Sequence, residues 1–359
     1  MKPATRNLLL LLLVVFACST ERTSSPPTVL YEDGNPFGIS FARSLIASTD
    51  DSVRTFTKLF VRDAKYPVLT SINVTNNRIV LTSETGLHQG MTYDVVFPDY
   101  EHDVFSFTIP FEGERTVPSV KAVHNLCNQV PANLLKIYVE FSEPMSEGRA
   151  YQYCHLINSQ TKDTVDQAFL ELEPELWNDD RSVLTLWLDP GRIKQDLIPN
   201  KTLGTVLDFN TPYTLFISPG WKSQKGVATD SLYQRNFTTV VRDIWKPDVT
   251  EWIVTVPEKP NDKLRILLNE LHDWSLMRSS ISIWKGDDEV KGTIEVDECN
   301  RLFFLTPKEQ WTPGEYQVRV DSRLEDFVGN NLNRLFETDV TNNATTNSQK
   351  EYVLSFVVR

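Results

Sequence analysis

The sequence predicts an all-β chain of tandem β-sandwiches, and three observations carry that prediction. Apolar and polar residues alternate in short bursts, as half-buried strands require. Twenty Pro and 11% aromatic residues accompany many β-branched runs, and no long helical pattern competes with them. One hairpin-like pattern recurs three times along 359 residues, a length that exceeds what one core usually fills.

The elements follow in chain order. Residues 1–17, "MKPATRNLLLLLLVVFA", open with Lys2 and Arg6 and are apolar from Leu8 to Ala17. A run of about ten residues is too short to span a bilayer and reads as a secretory signal. The phrase "VFAC", with Val15, Ala17 and Cys18, resembles the lipobox of bacterial lipoproteins. That resemblance makes Cys18 the lipidated residue and the membrane a partner through an N-terminal lipid. Several acyl chains, each methylene contributing about 0.8 kcal/mol, would hold the protein there permanently. Ser19 stands where Asp would signal inner-membrane retention in many Gram-negative lipoproteins. The expected address is therefore the outer membrane, facing the periplasm or the cell surface.

Residues 18–27, "CSTERTSSPP", form a polar tether that stiffens towards polyproline II at its proline pair. Fully extended, it reaches about 33 Å. Loss of residues 1–17 removes two positive charges and no negative ones, taking the net charge from −12 to −14. Such a surface repels phosphate backbones, which excludes nucleic acid as a partner. Three cysteines remain beyond Cys18: Cys127, Cys154 and Cys299. Cys127 and Cys154 can pair in an oxidising compartment, but buried free thiols are the simpler expectation. No metal-ligand spacing is present, and no cofactor is implied.

In "LLKIYVEF", Leu135, Ile137, Val139 and Phe141 share one strand face, while Lys136, Tyr138 and Glu140 take the other. Residues 182–188, 263–270, 315–320 and 352–358 behave similarly. Arg78 and Tyr93 are fifteen positions apart in one hairpin pattern, as are Arg301 and Tyr316 in another. A third copy separates Arg181 from Tyr213 by thirty-two, an insertion of about seventeen residues. Each copy suggests the corner of an immunoglobulin-like sandwich, with Tyr93, Tyr213 and Tyr316 anchoring the turn before a late strand. The expected domains are 28–112, 113–244 with an insertion at 191–206, and 245–359. Protease is expected to nick near 112–118 and 242–248.

"YVEFSEPMSEGRAY" (138–151) resembles bacterial Ig-like domains of S-layer-type and surface lipoproteins. Phe141, Ser142, Glu143, Pro144 and Met145 match the phrase "FSEPM" of that family. Tyr316, Val318, Val320, Asp326, Gly329 and Asn330 match its closing phrase. The third domain departs from the first phrase with "LLNELHDW" (267–274), and the first domain carries only the hairpin unit. The chain from about Asn133 onward is also similar to uncharacterised Ig-like lipoproteins that carry "LWNDDRSVLTLWLDPGRIK" (176–194). The resemblance implies fold and envelope location, and no activity.

Candidate binding residues lie in two places. In the insertion, Arg192 and Lys194 suit a carboxylate or phosphate of a ligand or a neighbouring protein. The competing reading is a packing loop in which Ile193, Leu197 and Leu203 cover the sandwich end. All eight Trp fall between Trp177 and Trp311. Trp177 and Trp221, flanked by polar residues, are the candidates for stacking on a glycan, whereas Trp187 and Trp311 read as core and cap. Glu171 and Glu173, two apart on a strand, suit a carboxylate-dependent hydrolase if a pocket also gathers Arg192. Asp321, Glu325, Asp326 and Asn330 offer oxygens to Ca²⁺, but a turn at Gly329 accounts for them better. With no catalytic motif present, the expectation is a non-catalytic structural or binding module whose partner is an envelope protein or a glycan.

Overall fold

The computed structural model describes residues 27–62, 64–84, 86–98, 104–111, 113–195, 197–337 and 349–359. Cys18 and the signal lie outside these. Among the described residues, twenty-four strands form six four-stranded sheets, paired into three sandwiches.

The first unit holds β1 (Thr28–Glu32), β2 (Asn35–Ala42), β3 (Lys58–Val61), β4 (Pro67–Val68), β5 (Thr70–Val74), β6 (Arg78–Ser83), β7 (Thr92–Val96) and β8 (Val104–Thr108). Its sheets run β1-β2-β6-β5 and β4-β3-β7-β8. The second holds β9 (Val120–His124), β10 (Gln129–Pro131), β11 (Lys136–Phe141), β12 (Cys154–Asn158), β13 (Leu176–Trp177), β14 (Val183–Trp187), β15 (Pro212–Ile217) and β16 (Tyr233–Val240). Its sheets run β9-β11-β14-β13 and β10-β16-β15-β12, with β10 parallel to β16. The third holds β17 (Ile253–Thr255), β18 (Leu264–Leu267), β19 (Ile281–Lys285), β20 (Asp288–Glu289), β21 (Gly292–Val296), β22 (Leu302–Pro307), β23 (Gly314–Asp321) and β24 (Glu351–Val358). Its sheets, β17-β18-β22-β21 and β20-β19-β23-β24, repeat the order of the first unit. These are immunoglobulin-like sandwiches, with the ABED and CFG groupings of that fold.

The helices are short. Between the sheets of each unit the chain crosses through one of them: α1 (Asp50–Phe56), α2 (Ala150–Tyr153) or, in the third, Trp274–Ser280. Two more, α3 (Pro190–Ile193) and α4 (Ile198–Leu203), build the insertion, which makes Trp274–Ser280 α5.

The three tyrosines hold the posts expected of them. Tyr93, Tyr213 and Tyr316 are buried, and each hydroxyl accepts a backbone N–H from the turn before it: His88 at 2.8 Å, Asp208 at 2.9 Å and Thr312 at 3.2 Å. Each ring also stacks on a phenylalanine directly opposite on the next strand. The pairs are Tyr93 with Phe107, Tyr213 with Phe237 and Tyr316 with Phe356, at 5.5, 5.7 and 5.5 Å. A cross-strand aromatic pair of this kind contributes up to about 1 kcal/mol.

Three cores result. The first and third draw only on their own units, but Phe327 and Val328 of the third are buried in the second. The turn carrying them is held by Asp326, whose Oδ1 accepts the N–H groups of Val328 and Asn330, both at 2.9 Å. Gly329 has φ of +85°, and a side chain there would strike Leu135. A strand face departs from expectation for the same reason. Lys136 and Tyr138 on β11 are as buried as the residues on its core face, because the third unit covers them.

Candidate functional site

At the junction of the second and third units, Asp273 is fully buried at the start of α5, where its Oδ1 caps the N–H groups of Ser275 and Leu276. It receives Lys136 Nζ at 3.0 Å, the Tyr138 hydroxyl at 2.9 Å and Asn125 Nδ2 at 3.3 Å. Lys136 also reaches Glu325 at 2.7 Å. Burial alone would lower the ammonium's pKa, but Asp273 and Glu325 outweigh it and hold it above the ordinary value. Cys127 and Cys299 form a disulfide across the same junction, their Cα atoms 5.4 Å apart. This corrects the expected choice between a Cys127–Cys154 pair and free thiols: of the three described cysteines only Cys154 stays free, buried in the core of the second unit. The pairing joins residues 172 apart, a distance that spacing does not reveal.

Nearby, Asp243, Glu270 and Asp326 bring one oxygen each within 4.8 Å of one another. These are the residues through which a hard divalent cation would be held. Burial, then Asp243 and Glu251, push the Glu270 carboxyl up to about 8. Burial, then Asp243 and Glu270, also raise Asp326. Of the four oxygen donors put forward from the sequence, only Asp326 belongs to this group. Glu325 is engaged by Lys136, Asp321 by Arg323 at 2.7 Å, and Asn330 by Asp326 and the Trp245 carbonyl, both at 2.8 Å.

Between the first and second units lies a cleft of about 570 Å³. Its lining includes Tyr66 and Leu69 from one side and Glu147, Glu173, Trp177 and Arg181 from the other. Trp177 ends β13 half-buried, its indole N–H donating to Glu175 at 2.8 Å. Glu175 also accepts the Gly148 N–H at 2.9 Å and the Ala150 N–H at 2.7 Å, though burial still raises its carboxyl. Arg181 Nη1 donates to His88 Nε2 at 2.6 Å, and its guanidinium lies 3.5 Å from Glu147. Burial, then Arg181, hold the His88 imidazole down to about 4.

The other predicted site residues fall elsewhere. Arg192 is buried, and its guanidinium is consumed by the carbonyls of Asp166, Gln167, Leu203, Gly204 and Thr205 at 2.6–3.4 Å. It is a strut within the insertion and has no donor left for a ligand. Lys194 is half-buried with Nζ 4.2 Å from the centre of the Phe336 ring, so it belongs to the junction with the third unit. Trp221 is fully buried and donates to the Ser146 carbonyl at 3.1 Å. It meets Trp177 edge to face at 5.8 Å, so the two rings make no flat platform. Trp311, expected to cap its hairpin turn, is buried in the core of the third unit and donates to the Asp262 carbonyl at 2.8 Å. Ile193 is buried, but Leu197 and Leu203 are exposed. The hydrolase geometry does not form. Glu171 is bound by Lys65 and by Tyr66 at 3.0 Å, and Arg192 is not at the cleft. Trp245, 73% exposed, was not singled out by sequence reasoning, and its neighbours Asp243 and Ile244 give no local sign of it. Among the described residues no helix is long and apolar enough to cross a membrane.

No family model and no curated protein matches this chain. Solved structures similar to it include native α-2-macroglobulin from Escherichia coli, at 12% identity and a TM-score of 0.23, covering 56% of this chain and 65% of that one. The N-terminal part of the bacterial S-layer protein SbsC is 13% identical with a TM-score of 0.25, covering 57% of this chain and 40% of that one. The insect immune protein hemolin is 10% identical with a TM-score of 0.19, covering 84% of this chain and 66% of that one. The matches thus span less than two thirds of the macroglobulin and S-layer chains. At these scores they carry no argument, and the fold rests on the sheet order itself.

Proposed function

We propose that this chain is a lipid-anchored protein of the bacterial outer membrane, non-catalytic, whose three immunoglobulin-like sandwiches act as a structural spacer and binding module. The observation that supports this best is the buried, cross-linked polar junction between the second and third units. Units joined within one chain move relative to each other unless their interface holds them, and a spacer needs units that do not swivel. A disulfide between Cys127 and Cys299 suits an oxidising compartment outside the cytoplasm, which the apolar leader also calls for. The lipid on Cys18 and the division into 28–112, 113–244 and 245–359 belong to the same proposal.

Metabolic labelling with an alkyne fatty acid tests the anchor. The wild-type chain should take the label and sediment with outer membranes, and Cys18→Ser should do neither. An unlabelled wild-type chain in the soluble fraction would overturn it. Sugar stacking is a second reading, and of its two expected rings only Trp177 reaches a cleft.

A further inference from the structure

The cleft between the first and second sandwiches has a chemistry that a spacer does not use. Its volume of about 570 Å³ lies within the roughly 300–1,000 Å³ of ordinary ligand sites. Apolar and aromatic groups, Tyr66, Leu69, Pro174 and Trp177, meet carboxylates there. Glu173 and Asp179 are exposed, and no bond to either is found among the described residues. The lining side-chain donors each already have a partner: the Trp177 indole N–H in Glu175, the Tyr66 hydroxyl in Glu171, Asn178 Nδ2 in Ser182 and Arg181 in Glu147 and His88. A glycan needs donors as well as a stacking face, and each side-chain donor of this cleft is already engaged within the protein. A cation needs a π face and counter-ions, and the cleft offers both. The His88 imidazole, held down to about 4 by burial and Arg181, adds no opposing charge at neutral pH. The whole chain, at −12, favours the same sign of ligand.

We infer that this cleft binds an arginine or lysine side chain on an extended segment of a partner protein, with the cationic head against Trp177 and with Glu173 and Asp179 as its counter-ions. The contact is non-covalent. It gives the spacer a specific place to hold a neighbour.

The test is fluorescence anisotropy of a labelled hexapeptide carrying two arginines, titrated with the full-length chain in detergent. Physiological ionic strength screens exposed charges beyond about 8 Å, which suppresses diffuse attraction. The arginine peptide and its lysine version should bind, and the glutamine version should not. Glu173→Gln with Asp179→Asn should weaken binding about tenfold or more. Glu258→Gln with Asp287→Asn, a control pair of exposed carboxylates on the third unit, should leave it within about twofold. Trp177→Ala should also abolish binding, but Trp177 packs on Trp221, so the carboxylate pair is the deciding variant if Trp177→Ala misfolds. Equal weakening by both carboxylate pairs, equal binding of the glutamine peptide, or no binding of the arginine peptide would each overturn the inference. So would displacement of the peptide by cellohexaose in a Trp177-dependent manner with the carboxylates irrelevant, which would make the cleft a sugar site.

Discussion

The two junctions of this chain join similar sandwiches by opposite means. Between the second and third units, Lys136, Tyr138, Asn125 and Asp273 are withdrawn from water and bonded to one another, and a disulfide crosses beside them. Between the first and second units, the ion pair of Lys65 with Glu171 is exposed on both sides. Gly90 and Gly226 meet there backbone to backbone, each at positive φ; a side chain on Gly226 would overlap the Gly90 carbonyl, and one on Gly90 the Lys225 carbonyl. A buried polar network orients its partners, because any misalignment strands a charge in a low dielectric. Exposed pairs contribute between zero and about 1 kcal/mol and tolerate adjustment. One junction therefore fixes a geometry, and the other leaves a cleft with room for a ligand.

The contrast can be broken most directly at Asp273. Asp273→Ala removes the fully buried one of the two counter-charges of Lys136, the partner of Tyr138 and the cap of α5, and truncating one partner of a buried pair costs about 3–5 kcal/mol. Urea unfolding should show that loss, and protease should cut at 242–248 markedly faster than in the wild type. A loss no larger than that of a surface substitution would erase the distinction between the junctions.

Acid sharpens the same contrast. His88 has a folded pKa of about 4 against an ordinary 6.5, so between those values the unfolded chain binds the extra proton. Its contribution is present above about pH 6.5 and is lost as pH falls towards 4, when the imidazolium would face the Arg181 guanidinium. His272, also held down to about 4 by burial, destabilises the third unit over the same range. His88→Gln should spare the first junction about 1–2 kcal/mol of acid loss. Proteolysis at 112–118 as a function of pH measures it, and an unchanged profile would remove His88 from the account. The smallest effect belongs to Lys65→Ala, which should leave the thermal melting midpoint nearly unchanged, because the pair it breaks is exposed to water. A loss like that of Asp273→Ala would mean that the exposed junction is as demanding as the buried one.

Much of the framework was legible in the sequence. The period-two runs became strands, and "DFVGN" became the turn closed by Asp326. The three tyrosines bond backbone N–H groups only four or five residues away, so spacing alone located them. The candidate site was less legible. Trp177 does line a cleft, but Trp221, with equally polar neighbours in sequence, sits in the core. Arg192 stands in an apparent surface loop, yet the insertion and the carbonyls of Asp166 and Gln167 close over it and take every donor.

By itself, the sequence determined what depends on neighbours along the chain: the alternation of faces, the turns, the corner tyrosines and hence an all-β chain of repeated sandwiches. Only the tertiary structure decided which cysteine meets Cys127, that the outer face of β11 is an interface, and that Lys136 and Tyr138 answer to Asp273. Tyr138 and Asp273 are 135 residues apart, and Asn125 and Asn300 are 175 apart. Local periodicity shows that a polar residue leaves the core of its own strand, but whether it then meets water or another unit is set by contacts that spacing does not encode.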